Sequence, residues 1–299
     1  ILDAICLALF NNMPRTTGIE GTKMPDVGQE FIQQGDRRQI LRRGTAEAMA
    51  AVEFIAVDGK SYRSVKTRET SRFDFMGRSY FIKYHEGTTL KEIVKNLITL
   101  KLPVIGADQE WAAIHHLKNH GVDTMVGVAF GTKGWNPLTR QSFLITEDLS
   151  PVEPLDAFFQ SSKGRSISFD TKQCILKRVA EMTRKMHLSG LNHRDCYLCH
   201  YLLDTSKNLE SDLKISIIDL HRAQIRHHVP KRWRDKDLVG LYFSSLGLGF
   251  TQRDIYRFLK IYFQSPLREI LTQERELITN AQKRVLKIQA HTDKLYAKP

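Results

Sequence analysis

Residues 190–222 read Gly-Leu-Asn-His-Arg-Asp-Cys-Tyr-Leu-Cys-His-Tyr-Leu-Leu, then a polar interlude, then Ile-Ser-Ile-Ile-Asp-Leu-His-Arg. A long helical run ends at Gly190, and the loop after it carries His193, Arg194 and Asp195. Two short apolar runs, 201–203 and 215–218, bracket a turn, and the second delivers Asp219. That second run alternates too little for a half-exposed strand and reads as buried on both faces.

An acid on a loop, followed about two dozen residues later by an acid at a strand end, is the layout of a kinase-type phosphoryl-transfer site. The first carboxylate accepts a hydroxyl proton and the second holds a metal against nucleotide phosphates. The same stretch contains Cys196-Tyr-Leu-Cys199-His200, the Cys-x-x-Cys-His pattern of c-type haem attachment. Haem attachment requires export, and residues 1–10 lack a basic n-region, include Asp3 and run into a segment with no small-residue cleavage pattern. A zinc reading lacks a second cysteine or histidine pair to complete a tetrahedron. Cys196 and Cys199 are therefore read as small apolar fillers facing a core.

At 299 residues, 41% apolar and 26% charged, the chain has material for one large or two modest folded units. Its four cysteines form no disulfide-dense framework, which suits a reducing compartment. No apolar run approaches the length that spans a bilayer. The formal net charge of +12 points toward a polyanionic partner: nucleic acid, an anionic membrane surface or a phosphorylated glycolipid. A nucleic-acid module is disfavoured, because the basic stretch carries a single aromatic, Trp233, rather than an interleaved series, and no recognisable fingerprint.

Residues 1–50 carry no functional signal beyond a short apolar stretch, Leu2 to Phe10. From Val52 the pattern turns strand-like: Val52–Val57, Asp58-Gly59 as a tight turn, Tyr62–Lys66, then Arg72–Phe75 and Arg78–Lys83 either side of Met76-Gly77. On the last strand Tyr80 and Ile82 face one way, Phe81 and Lys83 the other. A helix is expected over Thr88–Leu100. A second runs over Gln109–His120, with Asp108 as N-cap and Gly121 as stop, and it places Glu110 in its first turn. Two readings stand for this pair. Lys83 is an edge-strand lysine and Glu110 a dipole-favoured acid, or the two form the strand-lysine, helix-glutamate pair that grips ATP phosphates. With 190–222 in view the second is preferred. Met125–Phe130 and Ser142–Thr146 read as strands, and Pro151 ends regular structure in the linker after Glu147. The amphipathic run Lys172–Leu188 puts Ile175, Val179, Met182 and Met186 in a core. The basic stretch through Lys231-Arg232-Trp233-Arg234 precedes a helix starting near Asp237, which is either a first-turn acid or an anchor for the loop's backbone. Helices at 251–263 and 273–296 follow.

With these pieces assembled, the chain resembles the lipopolysaccharide core heptose-I kinases, a branch of the eukaryotic-like kinase fold, over roughly residues 60–270. The likeness is close at Leu191–Tyr201 and Ile217–Gln224, and extends to Tyr80-Phe81-Ile82-Lys83, Lys101-Leu102-Pro103-Val104, Gln109-Glu110-Trp111 and Lys231-Arg232-Trp233-Arg234. The resemblance implies an α+β, protein-kinase-like bilobal fold: an N-terminal extension over 1–50, a β-rich lobe over 51–147 and a helical lobe over 148–299. It implies ATP and Mg²⁺ as cofactors, Asp195 as catalytic base, Lys83 and Glu110 on the phosphates, and Glu147, Asp148 and Leu149 as the adenine-reading hinge. Asp219 would be a metal ligand, His200 a metal or phosphate contact, and Asp237 a brace for the Asp195 loop. The acceptor would be a heptose hydroxyl of the lipopolysaccharide inner core on its lipid A anchor. The enzyme would then work at the cytoplasmic face of an inner membrane, held by basic patches such as 222–234.

The sequence departs from the kinase pattern at three points. His200 stands where ordinary kinases have Asn, Asp219-Leu220-His221 replaces Asp-Phe-Gly, and Val65–Ser71 lacks a glycine-rich loop. These weigh against protein-kinase activity. The rival readings are a kinase for another small acceptor, such as Kdo or an aminoglycoside, and a pseudokinase-like scaffold.

Overall fold

The structure, a computed structural model, describes residues 60–65, 68–75, 77–85, 107–133 and 140–284. The strand expected at Val52–Val57, the Asp58-Gly59 turn and the helix expected at Thr88–Leu100 lie outside these residues, as does the far end of the helix expected over 273–296. The chain divides into two compact units, one of Ile1–Trp111 with Val126–Asp148, the other of Ala112–Met125 with Leu149–Pro299.

The first unit is built on a five-stranded antiparallel sheet ordered β1-β2-β3-β5-β4. Its strands are β1 (Lys60–Val65), β2 (Arg68–Phe75), β3 (Arg78–His85), β4 (Gly127–Lys133) and β5 (Gln141–Glu147). Strand β3 keeps the expected alternation: Tyr80, Ile82 and Tyr84 are buried, while Phe81 and Lys83 on the other face are partly exposed. Strand β5 lies between β3 and β4, and Ser142–Thr146 are buried without a break. Strand β4 opens with Gly127, where a Cβ would stand 2.8 Å from the Trp111 ring. The missing side chain makes room for Trp111, which also stacks on Phe130 at 5.7 Å between ring centres.

Helix α1 (Asp108–Asn119) starts one residue before the predicted run. Asp108 is its first residue rather than its cap: the Ala107 carbonyl accepts from the Trp111 amide, and the Asp108 carboxylate pairs with Arg140 at 2.5 Å. Gly121, at φ +66°, follows the helix end as expected.

The second unit is mainly helical. Pro151 does not end regular structure, because β6 (Val152–Pro154) pairs with β8 (Tyr201–Asp204), which pairs with β9 (Ile215–Ile217). Short helices α2 (Leu155–Gln160) and α3 (Ser162–Arg165) follow β6. Helix α4 (Phe169–Leu188) begins three residues before the predicted Lys172, since the Ser168 hydroxyl caps it by accepting from the Thr171 amide at 3.0 Å. Ile175, Val179, Met182 and Met186 are buried, as the periodicity requires. Residues 231–234 are not a free basic segment before a helix. They form the first turn of α5 (Lys231–Ser244), so the predicted start at Asp237 is late by nearly two turns. Helices α6 (Gln252–Phe263) and α7 (Leu267–Gln273) follow, with helix again over 275–284. These helices line a partly open apolar pocket of about 340 Å³ whose walls include Phe159, Leu176, Leu238 and Leu259. Among the described residues no helix is long and apolar enough to cross a membrane.

Candidate active site

In the first unit, Lys83 reaches Glu110: Nζ donates to Oε1 at 2.6 Å, and the Glu110 side chain is fully buried. A buried carboxylate needs a partner to remain charged, and the strand lysine supplies one. Glu147 and Asp148 lie at the end of β5. The Glu147 amide donates to the Val126 carbonyl and the Asp148 amide to the Ser79 carbonyl, both at 2.9 Å, while Arg72 Nε holds the Asp148 carboxylate at 2.8 Å. Leu149 belongs to the second unit and makes no backbone hydrogen bond outside regular structure among the described residues.

In the second unit the loop starts at β7 (Leu191–Asn192), which pairs with β10 (Gln224–Ile225). Gly190 lies at φ +88°, and a Cβ there would sit 1.9 Å from the Arg226 carbonyl oxygen, so no other residue fits the approach of the two strands. Arg194 and Asp219 adopt left-handed backbone, at φ +73° and +62°, which non-glycine residues seldom do. Such conformations persist where surrounding contacts over-determine them, and here the contacts are visible. Asp237 on α5, 1% exposed, accepts from the His193 amide at 2.7 Å and the Arg194 amide at 2.8 Å, with His187 Nε2 at 3.3 Å. One turn on, Gly240 lets α5 approach the Cys196 carbonyl, where a Cβ would stand at 2.8 Å. Beyond it Ser244 Oγ accepts from the Leu198 amide at 2.9 Å. Positions 237, 240 and 244 share one helix face, and that face grips the loop.

His200 links the backbone of the loop at Asp195 to the strand-end acid Asp219. Its Nδ1 donates to the Asp195 backbone carbonyl at 2.7 Å, and its Nε2 lies 3.5 Å from Asp219 Oδ2. With Nδ1 donating, a neutral ring turns a lone pair toward a carboxylate oxygen, two acceptors face to face. The two atoms are a nitrogen and an oxygen donor whose spacing suits one divalent ion. Among the described residues no three His, Cys, Asp or Glu side chains converge, so such an ion takes its remaining ligands from phosphate and water, as Mg²⁺ commonly does. His221 Nδ1 holds the other Asp219 oxygen at 2.8 Å. His193 stacks on His200 at 5.5 Å and bonds the Ile218 carbonyl at 2.9 Å, and its burial lowers its pKa, the charge on Asp237 opposing.

Sequence reasoning missed one contact here. Arg222 Nη1 lies 2.9 and 2.8 Å from the two oxygens of Asp195. The guanidinium reaches it because β10 pairs with β7, a pairing of two residues that leaves no periodic trace. Cys196 is buried and Cys199 partly so, and both are free thiols. The Cys196 thiol is pushed well above its usual value by burial, then by Asp237, which fits the filler reading.

Phosphoryl transfer asks for a phosphate-gripping lysine locked by a buried glutamate and for a loop acid beside a metal-competent one, and the molecule is of the kinase class. The chain belongs to the lipopolysaccharide kinase (Kdo/WaaP) family, whose model matches residues 52–262. It is 55% identical over 241 residues to the lipopolysaccharide core heptose(I) kinase WaaP of Escherichia coli, a match covering 80% of this chain and 91% of that protein. The protein of the same description from Pseudomonas aeruginosa is 48% identical over 234 residues, covering 78% and 87%. Among solved structures, WaaP in complex with acyl carrier protein is similar with a TM-score of 0.69 and 43% identity, covering 80% of this chain and 91% of that one. The α+β, kinase-like fold expected from the sequence is thus the fold of the family, and kinase membership implies use of ATP.

Proposed function

We propose that this chain transfers the γ-phosphoryl group of ATP to a heptose hydroxyl of the lipopolysaccharide inner core, the reaction named for its relatives. The observation that carries the reading is the braced loop, with Asp195 and Asp219 brought under one histidine and two backbone amides fixed by Asp237. Asp195 accepts the proton of the acceptor hydroxyl as the oxygen attacks phosphorus. Lys83, held by Glu110, grips the α- and β-phosphates. Asp219 and His200 would hold a divalent ion, Mg²⁺ in the first instance, which would supply charge neutralisation of the phosphates. Of the three hinge residues, the amides of Glu147 and Asp148 are engaged within their own unit, so the Leu149 amide is the donor left for adenine. Most of the rate comes from positioning and charge neutralisation. The acceptor's lipid anchor places the enzyme at the cytoplasmic face of an inner membrane. A carrier-protein partner belongs to the same reading, on the strength of the structural relative's complex.

The test is incubation of the full chain with heptose-bearing core acceptor, ATP and Mg²⁺, read by mass spectrometry. A gain of one phosphate on the heptose is expected. Phosphate on Kdo, or on nothing, would replace this reading with one of its rivals.

A further inference from the structure

Beside the loop acid lies positive charge beyond what the nucleotide-binding roles above require. Four cationic heads surround the Trp233 indole. Arg194 Cζ lies 5.2 Å from the ring centre, Arg226 Cζ 5.8 Å, Arg232 Cζ 5.1 Å and Lys236 Nζ 5.7 Å. An indole face attracts a cation, but one ring does not offset the mutual repulsion of four. The neighbouring carboxylates are engaged elsewhere. Asp195 faces Arg222, Asp237 holds loop amides and His187, and Asp235 holds Lys231 and Arg234.

Arg194 is the sharpest case. It is only 6% exposed, its Nε is buried without a partner, and among the described residues its guanidinium has no hydrogen bond or ion pair. Lys236 on α5 is half-buried and likewise makes no hydrogen bond or ion pair among the described residues, only the contact with the Trp233 ring. Burial, then the charge of Arg222, pulls both below their usual pKa. Asp195 and Asp237 oppose this without forming an ion pair to either cation; a desolvated cation with no bonded counter-charge is costly, and an arrangement that gathers several becomes favourable when a ligand brings a further anion.

We propose that Arg194, Arg226, Arg232 and Lys236, gathered about Trp233, together with Arg222 on Asp195, are a receptor for an anionic substituent of the acceptor, a carboxylate or phosphate carried near the hydroxyl that is phosphorylated. The proposal deepens the kinase reading above and rests on it for the identity of the acceptor. Arg222 ties the receptor to the chemistry, because it also touches both Asp195 oxygens. An anion seated among these cations brings the adjoining hydroxyl to Asp195. Specificity follows as well, since an uncharged acceptor leaves Arg194 unpaired.

Binding and turnover test this separately. The full chain is titrated at fixed ionic strength with methyl glycosides carrying a carboxylate, a phosphate or no charge, following tryptophan emission. One or both anionic glycosides should change the emission, the uncharged one should not, and Trp233→Phe should abolish the response. Which anion works identifies the source. Lys236→Met is the principal variant because its side chain is only half-buried, and it should weaken anion binding about tenfold or more, as loss of a charged partner does. In turnover, masking the acceptor's carboxylates as methyl esters or removing its phosphates should raise KM about tenfold with kcat little changed. Lys236→Met should show the raised KM on the intact acceptor and little further loss on the masked one. Equal binding of charged and uncharged glycosides, or a Lys236→Met loss confined to kcat and equal on both acceptors, overturns the proposal. If the wild type fails to phosphorylate the acceptor at all, the kinase reading falls while the titration still decides the receptor.

Discussion

His200 stands where an ordinary kinase has asparagine, and its two nitrogens serve different ends: Nδ1 ties down the Asp195 carbonyl while Nε2 faces Asp219. Imidazole suits softer ions than Mg²⁺. His200→Asn should therefore shift metal preference toward Mg²⁺ relative to Mn²⁺, measured as the ratio of initial rates in the two metals; an unchanged ratio would remove His200 from the metal's shell. Asp195→Asn keeps one oxygen for Arg222 but loses the second acceptor, the ion pair and the proposed proton acceptor, so kcat should fall by about 10²–10⁴ with only a small change in melting temperature. Retained turnover would mean another base. These residues were legible in the sequence because the motif fixes them at short, rigid spacings along one loop and one strand. Arg222 on Asp195 and the cations around Trp233 were not. Those contacts join the residues flanking β10, the loop and the first turns of α5, and the basic residues of 222–234 read one by one look like solvated charge.

Helix α5 shows what a single element contributes. Its 237–240–244 face supplies a carboxylate, a gap and a hydroxyl to one loop. Asp237 was recognisable as a brace from sequence, but the helix start was misplaced because Lys231-Arg232-Trp233-Arg234 lacks an apolar stripe and Pro230 at its N-terminus offers no side-chain cap. Asp237→Ala should cost about 1.5–3 kcal/mol in denaturant unfolding, the scale of hydrogen bonds to a charged group, and lower kcat as the loop loosens. A loss of stability without loss of kcat would confine Asp237 to folding. A second joint ties α4 to α6. Asp254, 2% exposed, closes a capping box with Thr251 and accepts from Lys172 at 3.0 Å and Gln173 at 2.8 Å. Burial pushes this carboxyl upward, but the Thr251 amide, Lys172 and Gln173 outweigh it and hold the pKa well below the usual carboxylate range. A depressed folded value means the stabilisation is complete above the ordinary carboxylate pKa and is lost as pH falls from there toward the folded value. Between about pH 6 and pH 3 the wild type should lose more melting temperature than Asp254→Asn, and parallel losses would show that Asp254 does not carry the effect.

At the scale of the molecule, a net charge of +12 must be reconciled with an acceptor anchored in lipid. The run 222–234 was the expected membrane contact, yet much of its charge is engaged inside the second unit. Arg222 is on Asp195, Arg226 on Asn192 and Gln224, and Arg234 on Asp235 and Glu274. Membrane attraction would then come from basic residues spread over the surface rather than from one patch, each adding about 1 kcal/mol near an anionic leaflet and fading within a Debye length. No helix among the described residues crosses a bilayer, so nothing there supplies the salt-insensitive anchoring of a spanning segment. The full chain should sediment with vesicles containing anionic lipid at low salt and not with zwitterionic ones. Binding should fall steeply as ionic strength rises through the physiological range. Binding that survives high salt would point to apolar insertion by part of the chain, and equal binding to both vesicle types would show that the charge excess serves the acceptor and not the membrane.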